Sequence, residues 1–292
     1  MKAIINLILC LFYCTSWVYA QQSYLDQRGQ KQIWGVLDIA HLEEPPFQDW
    51  FADNYHNFQP SLNEDFPLDA LRDTKVTIFL GTWCGDSKYW VPRFLKLWDE
   101  LGLDRKQLEM VGLHNDSEHY KQGPKGEELG LNIHRVPTFI FHQGGTEIGR
   151  MVESPLNSLE TDIAQIGLGL PSKPRYRGAS YLHEQFSMYL LDSLQEQSTA
   201  ILRAIVKEVH TASELNTYGY VLKAAKQYEQ ALFVFQLNTR LFPHHPNVYD
   251  SLGEMYVTLE KYEKARNCYK EVLRLKPDDE NALKVLQEIE GK

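Results

Sequence analysis

Residues 75–101 read KVTIFLGTWCGDSKYWVPRFLKLWDEL, and the order of residue types in this stretch governs the reading of the rest. Its first seven residues, 75–81, are apolar and β-branched, the composition of a buried strand. From residue 87 to 101 the side chains of Trp90, Val91, Phe94, Leu95, Leu97, Trp98 and Leu101 recur at helical spacing. Between strand and helix stands one cysteine, Cys84. A cysteine where a helix begins meets unpaired backbone N–H groups and the positive end of the helix dipole. Both favour thiolate, the form that attacks disulfides. Asp86 opposes this, because a nearby carboxylate disfavours a second negative charge, and Lys88 offsets part of the opposition.

Working outward, residues 107–113 and 137–142 predict two further buried strands. Gly144-Gly145 is a hairpin turn into a strand over 146–152, residues 127–131 predict a short helix, and 156–168 a closing helix. Upstream, 32–40 reads as a strand and 47–57 as a helix after Pro45-Pro46. The order is that of an α/β sandwich over residues 68–170, with residues 21–67 as an aromatic-rich extension packed on it.

Trp83-Cys84-Gly85-Asp86-Ser87 at a strand-to-helix turn resembles the redox motif of the thioredoxin family. Pro92, eight residues after Cys84, matches that family's kinking proline, and Val136-Pro137-Thr138 resembles its cis-proline segment. The resemblance implies a thioredoxin-like fold in which Cys84, Ser87 and Pro137 form the reactive centre. It also implies that Trp83, Gly85, Asp86, Val136 and Thr138 contact a client protein. The chain departs from the family where the chemistry is decided. Ser87 replaces the second cysteine, and Ile78 stands where the family commonly buries an acid. Serine cannot resolve a mixed disulfide, so a dithiol cycle within the motif is excluded. Single-thiol exchange remains, with Ser87 available as a hydrogen-bond donor to the thiolate and an external thiol as resolving agent. The alternative is a redox-inactive adaptor or chaperone-like assembly protein.

After a Pro- and Arg-rich linker at 171–179 the sequence turns helical and repeats. A shift of 34 residues superposes Gly219 on Gly253, Tyr228 on Tyr262, Ala231 on Ala265, Phe235 on Tyr269 and Pro243 on Pro277. This resembles the tetratricopeptide repeat, an all-α module that presents a concave surface to partner proteins or peptides. Repeats fall at 213–245 and 246–279, with a capping helix at 280–292. The connector at 180–212 supplies further cover through Leu182, Phe186, Tyr189, Leu190, Ile201, Ile205 and Val209. Cys268 sits where a small buried residue is usual, so packing is its expected role.

The 292 residues are 43% hydrophobic and 24% charged, which excludes disordered and polytopic membrane classes. Thirty basic against 39 acidic residues give a net charge of −9, which argues against a reader of nucleic-acid phosphates. Residues 1–20 have the form of a signal peptide cleaved after Ala20, too short in its apolar run to span a bilayer. Export, most simply to a bacterial periplasm, is therefore expected, without stable membrane insertion of the mature chain. Two of the four cysteines, Cys10 and Cys14, leave with that segment. No cofactor fingerprint appears. His114, Asp116 and His119 read as solvated loop residues rather than a metal site, and no metal is expected.

Overall fold

The computed structural model describes residues 22–292; the expected signal peptide lies outside the described residues. Six strands form one sheet: β1 (Gln22–Leu25), β2 (Lys31–Leu37), β3 (Thr74–Leu80), β4 (Leu108–Gly112), β5 (Thr138–Gln143) and β6 (Thr146–Val152). Their spatial order is β1-β2-β4-β3-β5-β6. Only β3 and β4 run parallel, a pairing that requires a crossover between them. Helices α1 (Gln48–His56), α2 (Leu68–Leu71), α3 (Gly85–Glu100) and α4 (Leu159–Gly167) complete this half, with α3 in the crossover.

Strand periodicity divides the apolar residues between two cores. Val76, Ile78 and Leu80 of β3 join Phe139 and Phe141 of β5 beneath Phe94 and Trp98 of α3. Phe79, Val111 and Ile140 point the other way, toward Leu113, Ile133 and Val136. Ile33, Leu37, Phe47 and Phe51, from before β3, belong to the larger core.

Two local expectations fail. Residues 127–131 form turns instead of a helix. The backbone takes positive φ at Gly126, Gly130 and Asn132 (75°, 75° and 56°), incompatible with a right-handed helix through them. Strand β1 was not foreseen. Its four residues carry no usable periodicity, and it is placed by antiparallel pairing with β2.

The second half is helical: α5 (Arg177–Met188), α6 (Leu191–Glu196), α7 (Ser198–Ile205), α8 (Ala212–Ala224), α9 (Tyr228–Leu241), α10 (Pro246–Thr258), α11 (Tyr262–Leu275) and α12 (Glu280–Glu288). Helix α5 begins inside the stretch read as linker. The 34-residue shift holds in three dimensions. A β-carbon on Gly219 would lie 2.5 Å from the Phe235 ring, and one on Gly253 would lie 2.9 Å from the Tyr269 ring. Lys226 and Glu260, also 34 apart, both adopt positive φ just after the first helix of each pair. Leu182, Ile201, Ile205 and Val209 are buried as cover, but Tyr189 and Leu190 are exposed. They occupy the extended break between α5 and α6, where side chains leave the packed helix faces.

Candidate functional site

Strand β3 delivers the chain to Gly81, and the turn is closed by the Cys84 N–H donating to Gly81 O at 2.9 Å. Cys84 caps α3 in extended backbone (φ −90°, ψ 128°), and Lys88 N–H donates back to its carbonyl at 3.0 Å. The thiol is half-buried and donates to Val136 O at 3.3 Å. The Val136–Pro137 peptide is cis. Two segments more than 50 residues apart in sequence thus meet at the sulfur.

Ser87 is fully buried, and its Oγ accepts from the Gly81 N–H at 3.2 Å, so it is fixed on the strand end. The thiol's own bond runs to Val136 O; a Ser87-to-Cys84 bond is not the one formed. Trp83 is pinned over Gly81, its indole N–H donating to Leu113 O at 2.8 Å. A β-carbon on Gly81 would stand 2.5 Å from that ring, which explains the glycine. Gly85 and Asp86 are exposed beside the sulfur. Val136 and Thr138 turn their side chains inward, and Thr138 Oγ1 donates to Arg135 O at 2.8 Å. Among the residues expected to meet a client, these two have only their main chain to offer.

A group of charged residues around the thiol was not legible in the sequence. Lys121 is 4% exposed, and burial, with Arg135 adding to it, pushes its amine down to about 7. The charges of Cys84 and Glu153 act on it in the opposite direction. Its Nζ donates to Tyr120 Oη at 2.9 Å. Burial raises the Glu153 carboxyl, with Asp86 repelling it further, while Arg135 and Lys121 counter the rise. Arg135 Nη1 pairs with Glu153 at 3.3 Å, and its Nη2 reaches across to Ser213 O at the start of α8, 2.9 Å away. The guanidinium also lies 4.5 Å from the Tyr176 ring centroid. The residue preceding Val136-Pro137 is therefore anchored on the helical half. Groups with shifted proton affinity gathered around a half-buried nucleophile are a recognised mark of reactive sites.

The amino-terminal strands contribute as well. Thr82 Oγ1 accepts from the Ile33 N–H at 3.1 Å and donates to Gln32 Oε1 at 2.7 Å, tying the turn to β2. Cys268 lies far along the chain in α11. Burial pushes its thiol up to about 11, consistent with packing rather than attack.

The geometry can be set beside known proteins. A tetratricopeptide repeat family model matches residues 246–279. Thioredoxin H9 of Arabidopsis thaliana is 26% identical over 114 residues, covering 38% of this chain and 74% of that protein. The chain is a thioredoxin-like fold followed by tetratricopeptide helices. It combines a redox-type fold with a protein-interaction module. The Cys84 turn belongs to the thioredoxin-like part, and Arg135 joins the cis-proline segment to α8 of the helical half.

The histidine loop of the thioredoxin-like part departs from expectation. His114 is 7% exposed, not solvated. The unforeseen β1 lays Tyr24 on its ring at a centroid distance of 3.6 Å, and Trp34 of β2 meets its edge at 4.9 Å. Burial pushes the His114 imidazole below the ordinary histidine range.

Proposed function

We propose that this protein is an exported single-thiol exchanger in which Cys84 forms mixed disulfides with client proteins held by the tetratricopeptide helices. In this reading residues 1–20 direct the chain to the periplasm. The observation that carries the proposal is the sulfur at the start of α3, 3.3 Å from Val136 O on the cis-proline segment, with the buried Ser87 in the resolving position. The Cys84 thiolate attacks one sulfur of a client disulfide R–S–S–R′, forming Cys84–S–S–R and releasing R′S⁻. An external thiolate R″S⁻ then attacks, releasing Cys84 as thiolate and leaving R–S–S–R″. Disulfides are exchanged with no net oxidation. Arg135, and Lys121 to the extent that it holds its proton near pH 7, place positive charge around the Val136-Pro137 segment. Exposed Gly85 and Asp86 with half-buried Trp83 form the rim of the sulfur.

The test is trapping. Mixed disulfides isolated after alkylation should carry Cys84 and disappear in Cys84→Ala. Ser87→Cys should shorten their lifetime by supplying the missing resolving thiol. Equal yields with and without Cys84 would overturn the proposal, leaving the redox-inactive adaptor.

A further inference from the structure

The loop after β4 places His114, Asp116 and His119 so that one ligand atom from each lies within 4.8 Å of the others, the one such group among the described residues. The carboxylate is central. Asp116 Oδ2 stands 3.4 Å from His114 Nδ1 and 3.3 Å from His119 Nδ1. In a tetrahedral site with bonds of about 2.1 Å, neighbouring ligand atoms are separated by about 3.4 Å. These two gaps already have that length, and the third ligand pair lies within 4.8 Å.

The surroundings hold these side chains in place. The His114 ring stacks on Tyr24 and stands in a T-shaped contact with Trp34, and Trp34 also lies 5.4 Å from the His119 ring. Trp34 is itself fixed by its indole N–H on Gln122 O at 2.9 Å. Asp116 Oδ1 accepts from the backbone N–H of Glu118 and of His119. The Asp116 N–H donates to His114 Nδ1 at 3.2 Å, which puts the lone pair of that ring on the nitrogen facing the carboxylate. A metal would displace this hydrogen bond and the contact of His119 Nδ1 with the Asp116 carboxylate at 3.2–3.3 Å.

One side of the group is open. His114 and Asp116 line a cleft of about 610 Å³ that extends to Tyr24, Asp26, Trp83 and Lys88. Asp26 is already engaged with Gln30 N and Gln32 Nε2, so it is not counted as a ligand. Trp83 is the neighbour of Cys84 in sequence, so the cleft reaches the edge of the redox turn.

We infer that His114, Asp116 and His119 form a binding site for one divalent transition metal of the zinc class, with a remaining coordination position open to the cleft. Two imidazoles and one carboxylate are a donor set suited to such ions, and three protein ligands leave a fourth position for water or an added ligand. The site stands independently of the exchange reading, since no part of it uses Cys84.

The experiment titrates Zn²⁺ into the full chain against a chromophoric chelator. One Zn²⁺ per chain is expected, with affinity falling at least tenfold in His119→Gln and in Asp116→Asn and unchanged in Cys84→Ser. Loaded with Co²⁺, the chain should show visible ligand-field absorption without a thiolate charge-transfer band. His119 is partly exposed, so His119→Gln should fold as the parent does, which circular dichroism checks. Binding that survives both triad substitutions, that is lost in Cys84→Ser, or that never saturates at one ion per chain would overturn the assignment.

Discussion

A buried lysine that meets a phenol rather than a carboxylate weakens the fold around it. Lys121 is such a residue, and its position among Cys84, Glu153 and Arg135 gives a reason for its presence. In the native chain its amine gives up its proton near pH 7, against about 10.5 when unfolded. Between these values the unfolded chain holds a proton that the native chain has released. Native stability therefore rises with pH across that window and is lowest below it. Lys121→Met should remove this dependence and stabilise the protein at pH 7 by about 1–4 kcal/mol. Urea midpoints of both proteins at pH 7 and pH 10 check the point. The same substitution should slow disulfide exchange at Cys84, a loss of activity with a gain in stability. Lys121 could not be singled out from sequence, because its significance comes from three loops meeting. The Cys84 turn was legible because strand, turn and helix are contiguous.

At the scale of elements, the helix pairs depend on glycine. Gly219 lets α8 approach the Phe235 ring of α9, and Gly253 does the same for α10 and Tyr269 of α11. Gly219→Ala should destabilise the helical half by about 1–3 kcal/mol through overpacking, and Gly253→Ala by less, since its clearance is larger. Thermal unfolding followed by helical circular dichroism measures both. These glycines were visible in sequence through the 34-residue shift, because a repeat places the same packing problem at a fixed interval. Strand β1 was invisible for the opposite reason: a four-residue edge strand draws its identity from its partner. Missing it hid the cover over His114, and so made a buried ring read as a solvated one. The short helix expected at 127–131 failed because left-handed backbone at Gly126, Gly130 and Asn132 overrides local propensity.

At the scale of the molecule, the two halves share a buried seam. His134 is 1% exposed and lies edge-on to Tyr176 and Tyr218 of the helical half, at 5.8 and 5.9 Å. Burial, opposed by the Asn132 carbonyl and reinforced by Lys121, Arg135 and Arg150, pushes its imidazole down to about 3. Below about pH 6.5 the unfolded chain takes up a proton that native His134 refuses, so stability falls as pH drops from 6.5 toward 3. The loss should reach roughly 2–3 kcal/mol by pH 4.5 at this residue, and His134→Gln should remove it. Urea midpoints at pH 7 and 4.5 read the difference. The seam also helps set the Cys84 face, because Arg135 anchors the segment that meets the sulfur on α8. The claim that this face performs single-thiol exchange is tested most directly by reacting the Cys268→Ala protein with a small aromatic disulfide and following the released thiolate. Folded protein should release one equivalent, at least tenfold faster than the urea-unfolded chain, carry the adduct on Cys84, and turn over only when an external thiol is added. Release no faster from the folded than from the unfolded chain would contradict it.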